Sequence, residues 1–234
     1  MGYRLIGHVI LACALVPSVI DTFFALIAMR SIFLPDHRLS SRRAWLGSVA
    51  VAAMTWGCSP DAKPSPNSLD ITGAAFGKDF RLTDAQGRER TLADFRGKVV
   101  LLFFGFTQCP DVCPTALASA VEVLHALGDD GSKVQVLFVS LDPERDTPAI
   151  LQAYVSSFHP SFIGLRADLT HTTATAEHFK VYFRKVPMAG SYTLDHSAIT
   201  YVYDVVGRLR LAARPGQPAL KLAEDVRQLL AAPR

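Results

Sequence analysis

The sequence predicts an α/β fold with a mainly parallel sheet, and three observations support this prediction. Residues 99–104 form an apolar run without polar alternation, as in a strand buried on both faces of a parallel sheet. Apolar residues then recur at helical spacing over residues 114–127, and a second apolar strand follows over residues 134–141. Together they form one βαβ unit, whose right-handed crossover makes the two strands parallel neighbours.

Further elements are predicted on both sides of this unit. A leading β-hairpin is expected, with strands at 80–83 and 90–92 and a turn at 85–87. After the unit we expect helices at 148–158 and 170–179, an antiparallel hairpin of strands 198–203 and 209–213, and a closing helix at 218–230. This order of elements is thioredoxin-like. A length of about 165 residues suffices for one well-buried core.

The first 28 residues form an apolar segment that is a weak candidate for a membrane span. The segment contains Pro17 and Asp21, and an aspartate at the membrane midplane costs about 2.5–3.5 kcal/mol on insertion scales. Met29 offers a second start of translation, so residues 1–28 can lie upstream of the true start.

Residues 29–58 have the layout of an export signal or membrane anchor. Residues 41–46 resemble a twin-arginine signal, and Gly57-Cys58 resembles a lipoprotein cleavage site. Residues 59–68 are rich in proline and serine and are expected to form a linker to the domain at 69–234. We therefore expect an exported, membrane-tethered protein whose domain lies in the periplasm, at the outer face of a bacterial inner membrane.

Composition and charge exclude several classes of function. The formal net charge is +3, and the domain contains no run of lysine and arginine, so a nucleic acid is not an expected partner. The sequence also contains no glycine-rich phosphate loop and no Ser-His-Asp order of a hydrolase.

Two cysteines, Cys109 and Cys113, lie between the strand at 99–104 and the helix at 114–127. Free N–H groups and the helix dipole stabilise a thiolate at a helix start, so we expect both pKa values to lie below the usual ~8.5. The spacing allows a disulfide or a shared metal ion, and it favours chelation more than the Cys-x-x-Cys redox motif does. The domain has no second cysteine pair, which argues against a structural zinc site.

His196 is the best candidate for a third metal ligand among the seven histidines. It lies just before the strand predicted at 198–203, where it can face the turn that carries the cysteines. Spacing alone leaves two interpretations open, a metal ligand and a histidine hydrogen-bonded in a loop. Tyr182 and Phe183 are expected in the core. The other histidines of the domain are expected at the surface or at its boundary, namely His125, His159, His171 and His178.

A charged cluster of Asp142, Arg145 and Asp146 follows the strand at 134–141. Functional residues of α/β proteins lie beyond the carboxyl ends of the strands, so these side chains are candidates for the site or for a docking face. The alternative is a helix cap before Pro148. Capping is the favoured interpretation for Asp146, and both interpretations remain open for Asp142.

Three separated motifs resemble those of the Sco/SenC copper chaperones. They are residues 105–115 (GFTQCPDVCPT), residues 140–148 (SLDPERDTP) and Asp195-His196, and the resemblance covers roughly residues 69–230. It implies a thioredoxin-like fold and copper bound by Cys109, Cys113 and His196. Two differences concern partner contacts: Gln108 replaces a common histidine, and residues 164–167 (GLRA) replace a more usual Gly-Leu-Thr-Gly.

The resemblance also implies a task for the bound metal. Copper is expected to be delivered to the binuclear copper centre of cytochrome c oxidase subunit II. Thiolates favour Cu(I) and imidazole accepts Cu(I) and Cu(II), so the expected cofactor is copper as Cu(I) or Cu(II), and the valence stays open. The alternative function is a thiol-disulfide oxidoreductase, in which Cys109 and Cys113 are a redox-active pair that reduces the copper-ligating cysteines of the oxidase subunit. Another copper chaperone and a thioredoxin-like reductant are further candidate partners.

Overall fold

An eight-stranded mixed sheet is the centre of the domain in a computed structural model, which describes residues 66–232. The strands of this sheet are β1 (Leu69–Asp70), β2 (Leu82–Asp84), β3 (Glu89–Arg90), β4 (Val99–Gly105), β5 (Val134–Ser140), β6 (Ile163–Arg166), β9 (Thr200–Tyr203) and β10 (Leu209–Ala213). Their order across the sheet is β1-β10-β9-β4-β5-β6-β2-β3, and β4, β5 and β6 are parallel to one another.

Four helices accompany the sheet, and a separate two-stranded sheet lies outside it. The helices are α1 (Val112–Leu127), α2 (Pro148–Phe158), α3 (Leu169–His178) and α4 (Ala219–Ala231), and the separate sheet is the hairpin of β7 (Phe183–Met188) and β8 (Ser191–His196).

The predicted α/β class and thioredoxin-like order are confirmed. Strand β4 pairs in parallel with β5 along its whole length, with Val99 opposite Val134 and Gly105 opposite Ser140. Every residue of both strands is buried, as expected for strands covered on both faces. The leading hairpin is present as β2 and β3, although its second strand ends at Arg90 and Leu92 begins a short 3-10 turn.

Four strands of the described residues were not predicted: β1, β6 and the two strands of the β7–β8 hairpin. The hairpin matters for the site because His196 is its last residue, and so His196 ends a strand instead of standing in a loop before one. Tyr182, expected in the core, is exposed, and that expectation is wrong. Phe183 is half-buried and packs against the core.

The described residues include no helix that is both long and apolar enough to cross a membrane. The predicted apolar segment at 1–28, the signal or anchor at 29–58 and most of the linker lie outside the described residues. Asn67 and Ser68, the last two residues of the predicted linker, hydrogen-bond to Asp225 of α4.

Candidate metal centre

Both cysteines lie beyond the carboxyl end of β4, where the chain enters α1. Cys113 is in the first turn of α1 and is fully buried, while Cys109 lies in the preceding loop and is partly exposed. The buried thiol packs directly over Gly105, where a Cβ atom would lie 2.6 Å from the Cys113 sulfur. The last residue of β4 therefore has to be a glycine for this thiol to occupy its place.

His196 reaches the cysteines from the end of β8. Its Nε2 lies 3.5 Å from the Cys113 sulfur and 4.0 Å from the Cys109 sulfur. Its Nδ1 lies 3.0 Å from the carbonyl oxygen of Ser197, and this nitrogen must be the donor because a carbonyl only accepts. Burial lowers the pKa of His196, so the ring is neutral at pH 7 and Nε2 presents its lone pair to the sulfurs.

Two aromatic rings fix the plane of the imidazole. The His196 ring meets Phe106 edge-on at a centroid distance of 5.8 Å and Phe103 at 6.2 Å. The three candidate ligand atoms all lie within 4.8 Å of one another, so one ion can contact them together after small adjustments. Two sulfurs and one nitrogen suit copper, and the partly exposed Cys109 leaves a side from which the ion can enter or leave.

The expectation that both thiols are unusually acidic is wrong for Cys113. Burial, the largest effect, raises the pKa of the Cys113 thiol far above its usual value, although a hydrogen bond with the Phe106 backbone acts in the opposite direction. The dipole of a helix contributes about 0.3–1 kcal/mol at an exposed end. Full burial moves a pKa by up to about 3–5 units, each worth ~1.4 kcal/mol, so burial dominates here.

The fold agrees with those of similar proteins of known structure. A family model described as SCO1/SenC matches residues 70–231, which is more than half of the chain. The chain belongs to the SCO1/SenC family. The copper-bound structure of ScoI from Bradyrhizobium japonicum is 42% identical in sequence, with a TM-score of 0.61, and the match covers 66% of this chain and 99% of that one.

Two curated relatives of this SCO1/SenC chain show how far the similarity extends. A SCO2-like protein from Rickettsia felis is 37% identical over 151 residues, which are 62% of this chain and 74% of that protein. The mitochondrial SCO2 homolog of Bos taurus is 39% identical over 164 residues, 68% of this chain. The match spans 62% of the length of the bovine protein.

Asp146 is buried and connects two loops of the site. The favoured interpretation of Asp146 as a helix cap is therefore wrong. Its carboxylate accepts hydrogen bonds from the Thr107 hydroxyl at 2.6 Å, the Thr107 N–H at 3.2 Å and the Ser140 hydroxyl at 2.6 Å. Burial raises the pKa of Asp146 against the lowering effect of these bonds. The cap of α2 is Thr147, whose side chain accepts from the N–H of Ile150.

Asp142 and Arg145 form an ion pair beside the cysteine loop. Asp142 is buried, and it also accepts a hydrogen bond from the Tyr192 hydroxyl at 2.8 Å. Arg145 donates to the side chain of Gln108, the residue before Cys109, at 3.0 Å. The structure thus places Asp142 and Arg145 at the rim of the candidate metal centre. Of the two interpretations open for Asp142, this position favours a role at the site over a helix cap.

Tyr192 was not identified as a site residue from the sequence. A signal was available, since Tyr192, Leu194 and His196 alternate along β8 and alternate residues of a strand share one face. Leu194 is buried, and the same face brings His196 to the sulfurs. The four histidines expected at the surface or its boundary are exposed or half-buried, and none of them joins this centre.

Proposed function

We propose that this SCO1/SenC protein is a copper chaperone that binds copper through Cys109, Cys113 and His196. The observation that carries the proposal is the convergence of three ligand atoms within 4.8 Å, with the free Nε2 lone pair of His196 facing both sulfurs. Thiolate ligands favour Cu(I), and the imidazole extends the set to Cu(II). The copper bound to the similar Bradyrhizobium protein supports the choice of metal.

The site has the properties of one that releases its ion. Three ligands leave the coordination of copper incomplete, and Cys109 stands partly exposed in a loop instead of inside a helix or strand. A partner's ligand can therefore approach the ion from the Cys109 side while Cys113 and His196 still hold it. We propose that the recipient is the binuclear copper centre of cytochrome c oxidase subunit II, which the family resemblance implies.

The same proposal includes the location of the domain. The export signal or anchor at 29–58 and the linker at 59–68 would hold the domain at the outer face of the bacterial inner membrane. Tethering keeps the copper site close to a membrane-embedded oxidase and raises its effective concentration there.

The test compares copper loading of the full-length protein with that of Cys109→Ser, Cys113→Ser and His196→Ala. We expect one copper per wild-type chain, loss of Cu(I) retention in both serine variants, and a Cu(II) affinity reduced by more than about 100-fold in His196→Ala. Circular dichroism checks that each variant is folded. Unchanged Cu(II) affinity in folded His196→Ala contradicts the proposal. Loaded protein mixed with the soluble domain of subunit II then tests delivery to that partner.

A thiol-disulfide oxidoreductase is the second candidate, favoured by two free sulfurs within 4.8 Å of each other. In that reaction Cys109 and Cys113 form a disulfide, and the two cysteines of the partner take up two electrons and two protons. The raised pKa of Cys113 disfavours it as the attacking thiol. Reductase turnover that survives in His196→Ala supports this second function, since His196 has no part in it.

A further inference from the structure

The side-chain hydrogen bonds between the hairpin that carries His196 and the rest of the domain converge on one loop, while Leu194 and Phe183 of the same hairpin pack against the core. The β7–β8 hairpin pairs with no strand of the main sheet among residues 66–232. Apart from the contacts of His196 with the two sulfurs and with the neighbouring Ser197 carbonyl, the side-chain hydrogen bonds between this hairpin and the other described residues all involve residues 142–145. The Tyr192 hydroxyl donates to Asp142 and Glu144, and the Lys185 ammonium donates to Glu144.

Arg145 is the centre of this attachment. Its Nε donates to Asp142, while its Nη1 donates to the carbonyl oxygen of Tyr192 at 2.8 Å and to the Gln108 side chain at 3.0 Å. Its guanidinium carbon lies 3.7 Å from the centroid of the Tyr192 ring, a close cation–π contact. One side chain therefore binds β8, the loop after β5 and the residue before Cys109.

Arg145 is also linked to the His196 imidazole through the ring of Phe106. The guanidinium carbon lies 5.8 Å from the centroid of Phe106, and the Phe106 ring meets the His196 ring edge-on at 5.8 Å. The Arg145 side chain is only 17% exposed, so water competes weakly for its bonds. Arg145 thus acts on His196 both through the backbone of β8 and through an aromatic ring.

We propose that Arg145 is a positioning residue that holds His196 at the two sulfurs and thereby sets how firmly the site retains Cu(II) relative to Cu(I). This inference rests on the proposed copper function and deepens it. Two thiolates suffice for Cu(I), whereas Cu(II) depends on the imidazole. Displacing β8 by a small distance therefore weakens Cu(II) binding and leaves Cu(I) binding nearly unchanged.

The contacts require arginine and not merely a positive charge. A planar guanidinium donates to three acceptors in fixed directions while it stacks on a ring, and an ammonium does not reproduce this geometry. Arg145→Lys keeps the positive charge beside buried Asp142 but loses the fixed directions of the guanidinium N–H donors, so it tests geometry separately from charge. Asp142→Asn/Arg145→Met removes both charges together, so that no buried carboxylate is left without a partner.

The experiment measures Cu(I) and Cu(II) affinities of the full-length wild type, Arg145→Lys, the double variant and Arg184→Met. Arg184 is the matched control, because it is an arginine of the hairpin itself and its ion pair is with exposed Asp195. We expect both Arg145 variants to lose about 10–100-fold in Cu(II) affinity, as is typical when a residue supporting a metal ligand is changed. Their Cu(I) affinity should change by less than about threefold, and Arg184→Met should match the wild type.

The electron paramagnetic resonance spectrum of bound Cu(II) gives a readout that a purely structural role would not change. In both Arg145 variants it should shift toward the spectrum of His196→Ala. Unchanged Cu(II) affinity and an unchanged spectrum overturn the inference. An equal loss of Cu(I) and Cu(II) affinity overturns it as well, because such a loss indicates general destabilisation of the domain. If His196→Ala binds Cu(II) as tightly as the wild type, the copper function itself is overturned, and this result differs from both outcomes for the Arg145 variants.

Discussion

Cys113 illustrates at the scale of one residue how packing changes the chemistry that its position in the sequence suggests. The start of a helix favours a thiolate, but this sulfur lies against Gly105 and is fully buried. The protein therefore keeps Cys113 protonated in the absence of metal, and binding copper has to displace that proton. A protonated thiol is also a poor nucleophile, so Cys113 itself is a poor attacking group in disulfide exchange.

The apparent Cu(I) affinity is accordingly expected to rise with pH across the neutral range. Because the pKa of the Cys113 thiol is raised, this proton is still present above pH 7 and each pH unit should increase affinity by about tenfold per proton displaced. Competition with a chromophoric Cu(I) chelator from pH 6 to pH 8 measures the slope. His196→Ala is the control, since it retains both thiols and should show the same slope. A flat profile would mean that Cys113 is already a thiolate in the folded protein.

At the scale of elements, long and strongly patterned segments could be predicted and short ones could not. The buried run of β4 and the helical period of α1 each carry a dense signal, and so does β5. Strand β6 has four residues, and β7 has exposed and half-buried residues without a regular alternation. Such a strand forms because it pairs with a neighbouring strand and is held by contacts with a loop, and a short window of sequence reveals neither.

The start of α2 shows that a local sequence pattern also fails to identify which single residue caps a helix. Asp146, Thr147 and Pro148 together mark a helix start, but an aspartate and a threonine are both good caps. The hydroxyls of buried Ser140 and half-buried Thr107 bind Asp146, which leaves the cap to Thr147. Both lie outside the three-residue pattern and Thr107 is 39 residues away in sequence, so the local pattern locates the helix start but not its cap.

Thr147→Ala tests this assignment. The variant loses the acceptor for the Ile150 N–H and should lower the free energy of unfolding by about 1 kcal/mol. Thr173→Ala is a matched control within α3, where the hydroxyl donates to the Leu169 carbonyl and alanine has the higher helix propensity. Urea denaturation of both variants provides the comparison. Equal stability of Thr147→Ala and the wild type would show that another group caps α2.

At the scale of the whole domain, the three candidate ligands come from two parts of the chain that only the tertiary fold unites. The cysteine pair and its strand-to-helix setting could be predicted, because all the residues involved are neighbours in sequence. The position of His196 depends on the hairpin that it ends, and on Arg145 and the Phe106 ring, which lie tens of residues before it in the sequence. The histidine was therefore identified as a ligand by resemblance to a family, while spacing alone left two interpretations open.

The first described residues of the domain are attached to its last helix, and this attachment supplies a final prediction. Asp225 is buried on α4 and accepts hydrogen bonds from the Asn67 N–H at 2.7 Å, the Ser68 N–H at 2.8 Å and the Ser68 hydroxyl at 2.6 Å. Strand β1 follows at once and pairs with β10 at the sheet edge. The connection to the predicted linker thus begins at a fixed point on the domain.

Asp225→Ala should lower the free energy of unfolding by roughly 1–3 kcal/mol, because Ser68 is buried and its donors would lose their acceptor. Glu224→Ala is the matched control: Glu224 is exposed, binds only the Asn67 amide and Lys221, and should cost less than about 0.5 kcal/mol. Hydrogen exchange should show faster exchange of the Ser68 N–H in Asp225→Ala alone. Copper stoichiometry should be unchanged in both variants, because neither side chain contacts a candidate ligand. Equal stabilities of the two variants would refute the attachment as a stabilising contact.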